Sequence, residues 1–285
     1  MVTIAVASGK GGTGKSTVAV NLALLLSKGN NVSLFDLDVE EPNDNQFLNL
    51  DLTHLKDVNL LKPEIDEKKC THCGICADLC EFNALAVLPS HVMTFPELCH
   101  SCGLCSYACP EQAITEVPHL NGIIEQGVIN DKCSFFQGTL KISEAIATLT
   151  ISELKSIAKE RQQDIRVLDL PPGSSCPVIE GLKDTDYIIL VTEPTPAGEH
   201  DLKIAIEVVK LLKVPFGIII NRFDVGDDRI EKLATNEDYK ILLRIPHSDN
   251  IIYYYSRGMP LIDNDPESTK LFSNLISTLK EENVL

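Results

Sequence analysis

A strand, a glycine-rich turn and a helix follow one another over the first residues of this chain. Val2, Ile4 and Val6 alternate as in a strand. Gly9-Lys10-Gly11-Gly12-Thr13-Gly14-Lys15-Ser16 opens a loop, and Val18, Leu22, Leu25 and Leu26 then fall at helical spacing. The alternation continues downstream: residues 32–36, 165–170, 187–192, 214–221 and 240–245 read as strands, with 143–160 and 201–212 as the clearest helices between them. Continuous apolar strands alternating with helices imply an α/β fold with a mainly parallel sheet covered on both faces. The 285 residues, 44% of them hydrophobic, suffice for one large domain with a small insert.

The loop has the context that phosphate binding requires, a strand before it and a helix after it. Glycines let the backbone curl with its N–H groups inward, and the helix N-terminus adds roughly half a positive charge. Lys15 is placed to reach the β- and γ-phosphates and the Ser16 hydroxyl to ligate Mg²⁺. The nucleotide-binding set so defined runs Gly9, Lys10, Gly11, Gly12, Thr13, Gly14, Lys15, Ser16 and Thr17. With its additional Lys10 the loop resembles the deviant Walker A group of P-loop NTPases: MinD, ParA, the Mrp-type cluster carriers and the nitrogenase iron protein. In that group the early lysine reaches the partner subunit's nucleotide, so the resemblance implies an ATPase that forms an ATP-bound homodimer. The plainer alternative is a solvated loop lysine.

The resemblance extends further. Asp36-Leu37-Asp38 closes the second strand as in that group. It implies that Asp38 positions the attacking water and that Asp36 supports Mg²⁺ or the fold. Val167-Leu168-Asp169-Leu170-Pro171-Pro172-Gly173 resembles the Walker B strand and second switch, with Asp169 holding Mg²⁺ through water. Asn221 matches an adenine-contacting asparagine, and backbone near Pro246 closes the pocket. Lys10, Lys15, Asp38 and Asp169 are thus the candidate catalytic residues.

Eight of the ten cysteines lie between Cys70 and Cys109, where the βα rhythm is missing from about Leu61 to Val117. Cys70, Cys73, Cys76 and Cys80 are separated by two, two and three residues; Cys99, Cys102, Cys105 and Cys109 repeat the spacing, and Pro110 follows. Cys70–Leu85 laid over Cys99–Ile114 without gaps also aligns Gly74 with Gly103 and Ala84 with Ala113. This is an internal repeat, two small units able to share a core that neither could build alone. Cytosolic thiols stay reduced, so the clustering points to metal and not to disulfides.

The run is that of bacterial ferredoxins, in which the fourth cysteine ligates the other cluster. That resemblance assigns Cys70, Cys73, Cys76 and Cys109 to one [4Fe–4S] cluster and Cys99, Cys102, Cys105 and Cys80 to a second. Three cysteines within seven residues wrap three corners of a cubane, and the repeat supplies the fourth. Zinc sites usually draw two Cys-x-x-Cys pairs from separate turns, so the third close cysteine is surplus for zinc. Glu81 stands where proline is expected after Cys80.

With Pro63 and Pro118 near its ends, residues 61–118 read as an inserted ferredoxin-like α+β domain within an ATPase domain made of 1–60 and 119–285. The whole resembles MinD-superfamily ATPases with an inserted ferredoxin domain; Asp-Val-Glu-Glu-Pro-Asn (38–43) and Thr-Glu-Pro-Thr-Pro (192–196) strengthen the match. The expected cofactors are ATP/ADP, Mg²⁺ and two [4Fe–4S] clusters. Cys133 and Cys176 stand outside the runs. By likeness to the nitrogenase iron protein they are a conceivable pair for a third, shared cluster; otherwise they are ordinary buried thiols.

Lys and Arg total 25 against 41 Asp and Glu, a net charge of −16 that repels nucleic acid and anionic lipid, and with no Lys/Arg run to offer a local basic patch neither is expected as a partner. The chain enters a strand directly, without a signal peptide, and no apolar run approaches ~18 residues, so a cytoplasmic protein is expected. The C-terminal Leu271, Phe272, Leu275, Ile276 and Leu279 form an amphipathic run without a basic face, a packing helix. The function expected is ATP hydrolysis coupled to electron transfer with a redox or iron–sulfur protein partner. Two alternatives are a cluster carrier of Mrp type and a MinD/ParA-like positioning ATPase with structural or redox-sensing clusters.

Overall fold

The computed structural model describes residues 1–285. In chain order the first elements are β1 (Val2–Ala7), α1 (Lys15–Leu26), β2 (Val32–Asp36), α2 (Asp44–Leu48) and β3 (Thr53–Ile65). There follow α3 (Ile75–Asp78), β4 (Leu85–Val87), β5 (Val92–Thr94), α4 (Leu104–Ala108), β6 (Ile114–Asn130) and β7 (Cys133–Leu140). The remainder is α5 (Ala147–Glu160), β8 (Ile165–Asp169), α6 (Cys176–Leu182), β9 (Tyr187–Thr192) and α7 (Pro196–Leu212). It closes with β10 (Phe216–Asn221), α8 (Arg229–Glu237), β11 (Ile241–Ile245), α9 (Asp249–Tyr255) and α10 (Pro266–Glu281).

Nine strands form one sheet in the order β11-β10-β9-β1-β8-β2-β7-β6-β3. From β11 to β7 every pairing is parallel; β6 and β3 are added antiparallel. The period of two along each strand sorts the side chains between two cores. Ile4 and Val6 of β1 face α1 and α10, while Ala5 and Ala7 face the layer built from α5, α6, α7 and α8. Phe35 and Phe136 stack across β2 and β7 at 4.8 Å in that second core. In α10 the buried Phe272, Leu275 and Leu279 lie against the first core, so the C-terminal helix packs as expected, its N-terminus capped by Asp265.

Three strands of this sheet, β3, β6 and β7, were not legible from the sequence pattern, nor was the separate β4–β5 pair. β3 and β6 pair from Thr53 opposite Gln126 to Ile65 opposite Ile114, and β7 pairs β6 only over Gly122–Asn130. Beyond that point β3 and β6 run on together as an arm past the edge of the sheet. The boundaries expected at 61 and 118 therefore fall inside strands, Leu61 lying opposite Pro118 and Pro63 opposite Glu116. This corrects the idea of a separate inserted domain: the cysteine-rich segment grows from the edge of the main sheet. The prolines do not break the arm, because Pro63 is on an edge strand and Pro118 lies where β6 has outrun β7.

Candidate functional site

The chain carries two candidate sites, one at the parallel strands and one on the arm. The first is a cleft beyond the carboxyl ends of the parallel strands, where the loop after β1 turns into α1. Gly14 has φ 92°, a left-handed conformation that favours glycine, and a Cβ there would come within 2.5 Å of Asn221 Nδ2. That Asn221 amide donates to the Thr13 carbonyl at 2.8 Å, pinning the loop from β10. Asn221 and Pro246 line the same cleft as Lys15, Ser16, Thr17 and Asp38. Gly9 has a different task. A Cβ there would meet the Asp201 backbone at 2.3 Å, so it allows α7 to approach the loop.

Behind the cleft lies a buried charge network. Lys15, 7% exposed, donates through Nζ to Asp169 Oδ1 at 2.8 Å, and Ser16 Oγ donates to Asp169 Oδ2 at 2.6 Å. Burial works against the Lys15 ammonium, but the charges of Asp169, Asp44 and Asp36 outweigh it and raise its pKa. Asp36 accepts three backbone N–H groups, from Asp38 (3.0 Å), Asn43 (3.0 Å) and Asp44 (3.1 Å), which folds the 38–44 loop over the end of β2. Burial first, and then the Asp169 charge, push Asp36 up to about 7. Burial likewise lifts Asp38 to about 6, with Lys15 opposing.

Lys10 does not line its own chain's cleft. Its Nζ lies 3.4 Å from Glu193 Oε2, while Glu193 Oε1 accepts from Arg222 at 2.6 Å. Sequence reasoning quoted Glu193 only within the 192–196 motif, without a role, and passed over Arg222 and Asp44, the latter one residue beyond the 38–43 motif. It also passed over Phe47 and Tyr255, whose rings meet at 5.0 Å beside the cleft. These five carry no spacing signal; only the fold assembles them.

The second site sits at the arm's tip. Cys70, Cys73, Cys76 and Cys109 line one cavity with Ile65, Val92 and Pro110; Cys80, Cys99, Cys102 and Cys105 line another with Phe82 and Leu85, and Cys76 borders this one too. The backbone repeats between the two runs. His72 and Ser101 have φ 55° and 57°, and Gly74 and Gly103 have φ 87° and 72° at the starts of α3 and α4. His72 N–H donates to Cys70 Sγ and Ser101 N–H to Cys99 Sγ, both at 3.4 Å. Ala84 N–H and Ala113 N–H donate to Cys80 and Cys109 Sγ at 3.3 Å. Burial pushes the Cys105 thiol up to about 11 and the Cys76 thiol upward, so these two ionise more readily beside compensating positive charge. A cubane core of iron and sulfide ligated by four thiolates fits that donor set.

His72 and His100 border the two cavities: the first reaches Glu67 at 3.0 Å, with Cys70 Sγ within 4.8 Å, and the second stacks on Phe82 at 3.7 Å. Cys176 is exposed at the start of α6. Cys133 is 1% exposed and lies opposite Val32, at the far end of β2 from Asp36. Four strand residues, about 13 Å, separate those ends, so within one chain Cys133 sits away from the strand ends that carry the loop leading to Cys176. Cys133 is a core thiol, its pKa pushed by burial up to about 12. No helix is long and apolar enough to cross a membrane.

A family model described as the CobQ/CobB/MinD/ParA nucleotide binding domain matches residues 4–262. An uncharacterised protein of Methanocaldococcus jannaschii is 31% identical over 280 residues, covering 98% of this chain and 96% of the relative. An iron-sulfur cluster carrier protein of Pyrococcus abyssi is 27% identical over 301 residues, covering 98% and 86%. Among solved structures, the Pyrococcus furiosus cell division ATPase MinD superposes with a TM-score of 0.61 at 18% identity, covering 98% of each chain. The Pyrococcus horikoshii septum site-determining protein MinD, complexed with Mg-ADP, gives 0.59 at 20% identity, covering 96% of this chain and 93% of the other.

Proposed function

The chain belongs to the CobQ/CobB/MinD/ParA nucleotide-binding family, and on that premise we propose that it is an ATPase whose nucleotide state is coupled to electron transfer through two [4Fe–4S] clusters. The observation that carries this reading is that the fourth cysteine of each run lines the other run's cavity, Cys109 with Cys70, Cys73 and Cys76 and Cys80 with Cys99, Cys102 and Cys105, while Cys76 borders both. When bound, the clusters would supply one-electron chemistry at low potential. The protein's own part is to hold and couple. Lys15 would turn from Asp169 to the β- and γ-phosphates, Ser16 and Asp169 would hold Mg²⁺, which would supply charge neutralisation there, and Asp38 would orient the attacking water. Asn221 and Pro246 border the base. Lys10, turned from its own cleft towards Glu193, serves a second copy across an ATP-bound dimer.

A route between the sites supports coupling. The loop of Cys102 and Gly103 faces Ile146, Leu149 and Glu180 across an open cleft. Glu180 belongs to α6, which begins seven residues after Asp169. Movement of the segment after Asp169 on loss of the γ-phosphate is therefore passed to the helix facing the second cysteine cavity. Redox titration of the iron-loaded protein with ATP, ADP and a non-hydrolysable analogue tests this. The potential should differ between nucleotide states; ~59 mV is a tenfold effect for one electron. Equal potentials and equal reoxidation rates in all three states would refute coupling.

Asp38→Ala should leave ATP binding largely intact, slow hydrolysis and trap a dimer visible by size exclusion. Turnover equal to wild type would remove Asp38 from the mechanism. The carrier reading is favoured by the printed name of the Pyrococcus abyssi relative and by the exposure of Cys176. It requires Cys176→Ala to lower the iron of the ATP-bound dimer by about two per chain, half of a shared cubane. Unchanged iron returns Cys176 to the surface.

A further inference from the structure

One wall of the second cysteine cavity is also a wall of the open cleft beside it. His100, Ser101, Cys102, Gly103 and Glu116 line both. The cleft, of about 600 Å³, is bounded across from them by Leu149 and Ser152 of α5 and by Glu180 of α6. A single loop and one carboxylate therefore stand between the cleft and the second sulfur set, and Cys102 in that loop is exposed. The first cavity is not reached this way, since none of its lining residues borders the cleft. Apolar side chains also stand open around the loop. Leu61 lines the cleft and is exposed, Leu104 follows in α4, and Tyr107 of the same helix is 90% exposed. Exposed apolar residues are ordinary singly, but a group of them set among carboxylates marks an interaction surface.

The charge of this surface selects its partner. Residues 64–116 hold eight Asp and Glu against two Lys, and no Lys or Arg lines the cleft. Glu116 lays its carboxylate against Gly103, where a Cβ would meet Oε1 at 3.2 Å. Glu180 is held by Lys183 at 2.7 Å, which leaves Glu116 as the stronger anion. A second copy of the chain brings the same net charge of −16 and is repelled. We propose that this cleft is the chain's electron port, where a redox protein with a basic face around its own centre docks on the second cavity. The proposal rests on the electron-transfer reading above. Each encounter passes one electron, which oxidises the cluster and reduces the partner's centre, with no bond made or broken. Opposite charge steers the partner in and sets its orientation, while the apolar group around Cys102 supplies the dry centre of the contact.

The probe is mitochondrial cytochrome c, a lysine-rich haem protein, with succinylated cytochrome c, the same fold carrying reversed lysine charges, as the control. Two quantities are read on the full iron-loaded chain at low salt. One is equilibrium binding of the oxidised proteins by calorimetry, and the other is the rate at which the reduced chain reduces each cytochrome. Cytochrome c should bind, and Glu116→Gln with Glu180→Gln should weaken binding and slow reduction by about threefold or more. Salt at ~0.5 M should erase that difference. Leu149→Lys, which sets a cation in the cleft wall, should act in the same direction. Glu237→Gln with Asp238→Asn removes as much charge at α8, by the opposite edge of the sheet, and should leave binding unchanged. Equal loss in the two charge variants, or an affinity indifferent to Glu116→Gln with Glu180→Gln, overturns the proposal. Equal slowing of both cytochromes also overturns it, because that marks an altered driving force and not docking. Binding as expected with no electron passed would overturn the function proposed above. Electrons passed at a rate indifferent to these substitutions would overturn the port alone.

Discussion

Replacing Lys15 with alanine is expected to lower ATP turnover on the order of 10²–10³-fold, the effect of removing a preorganised charge donor from a site that excludes water. Lys15 is 7% exposed and held at 2.8 Å from Asp169, so little reorganisation is needed to bring it onto developing phosphate charge. The same substitution has a second consequence. It leaves Asp169, Asp36 and Asp44 with no ammonium among them, and breaking a buried ion pair from one side destabilises a fold by about 3–5 kcal/mol. Turnover must therefore be compared at saturating Mg²⁺ and ATP, with the folded fraction measured alongside. Lys15→Met, which keeps the aliphatic stem, should lose turnover equally. A rate within about threefold of wild type in either variant would take Lys15 out of phosphate binding.

All parallel strands but β7 were readable because their middles are apolar, as Ile188–Val191 and Ile218–Ile220 show, and because the Gly9–Ser16 loop anchors the register of everything after it. The edge was not readable. β3 buries only Val58, Leu60 and Lys62, and its Lys56, Asp57 and Pro63 are what an edge strand carries to resist pairing with another chain. A strand so defended has little apolar alternation to detect. β6 is interrupted by Pro118, Gly122 and Gly127; Gly122 is required where a Cβ would meet Thr139 O at 2.7 Å, a contact the sequence does not announce.

The two sites differ in the same way. Cysteine spacing states a local geometry, since three sulfurs in one short loop must face one another, and the four-and-four division follows once the repeat is noticed. The charge network is long-range. Asp44 sits eight residues from Asp36 and on another strand's connection from Asp169, and Glu193 is 183 positions from Lys10. Nothing in those intervals has a period, so only the topology brings the groups together.

Cys109→Ser should remove about four of about eight irons per chain, and the site it empties should be that of the other run. Cys109 follows Cys105 by four positions, yet its cavity is lined by Cys70, Cys73 and Cys76, because α4 carries the chain across the repeat after Cys105. Groups that act as a unit lose their effect together, whereas independent groups add. Adding Cys73→Ser to Cys109→Ser should therefore cost little further iron, since that site is already lost. Adding Cys102→Ser should take the remainder, because Cys102 lines the other cavity with Cys80, Cys99 and Cys105. The mirror pairing should hold for Cys80→Ser, which should be silent when combined with Cys102→Ser and additive with Cys73→Ser. Iron per folded chain after anaerobic reconstitution checks all six proteins. The opposite pattern, with Cys109 additive to Cys73 and silent with Cys102, would mean that each run closes its own site and that the crossing of ligands is wrong.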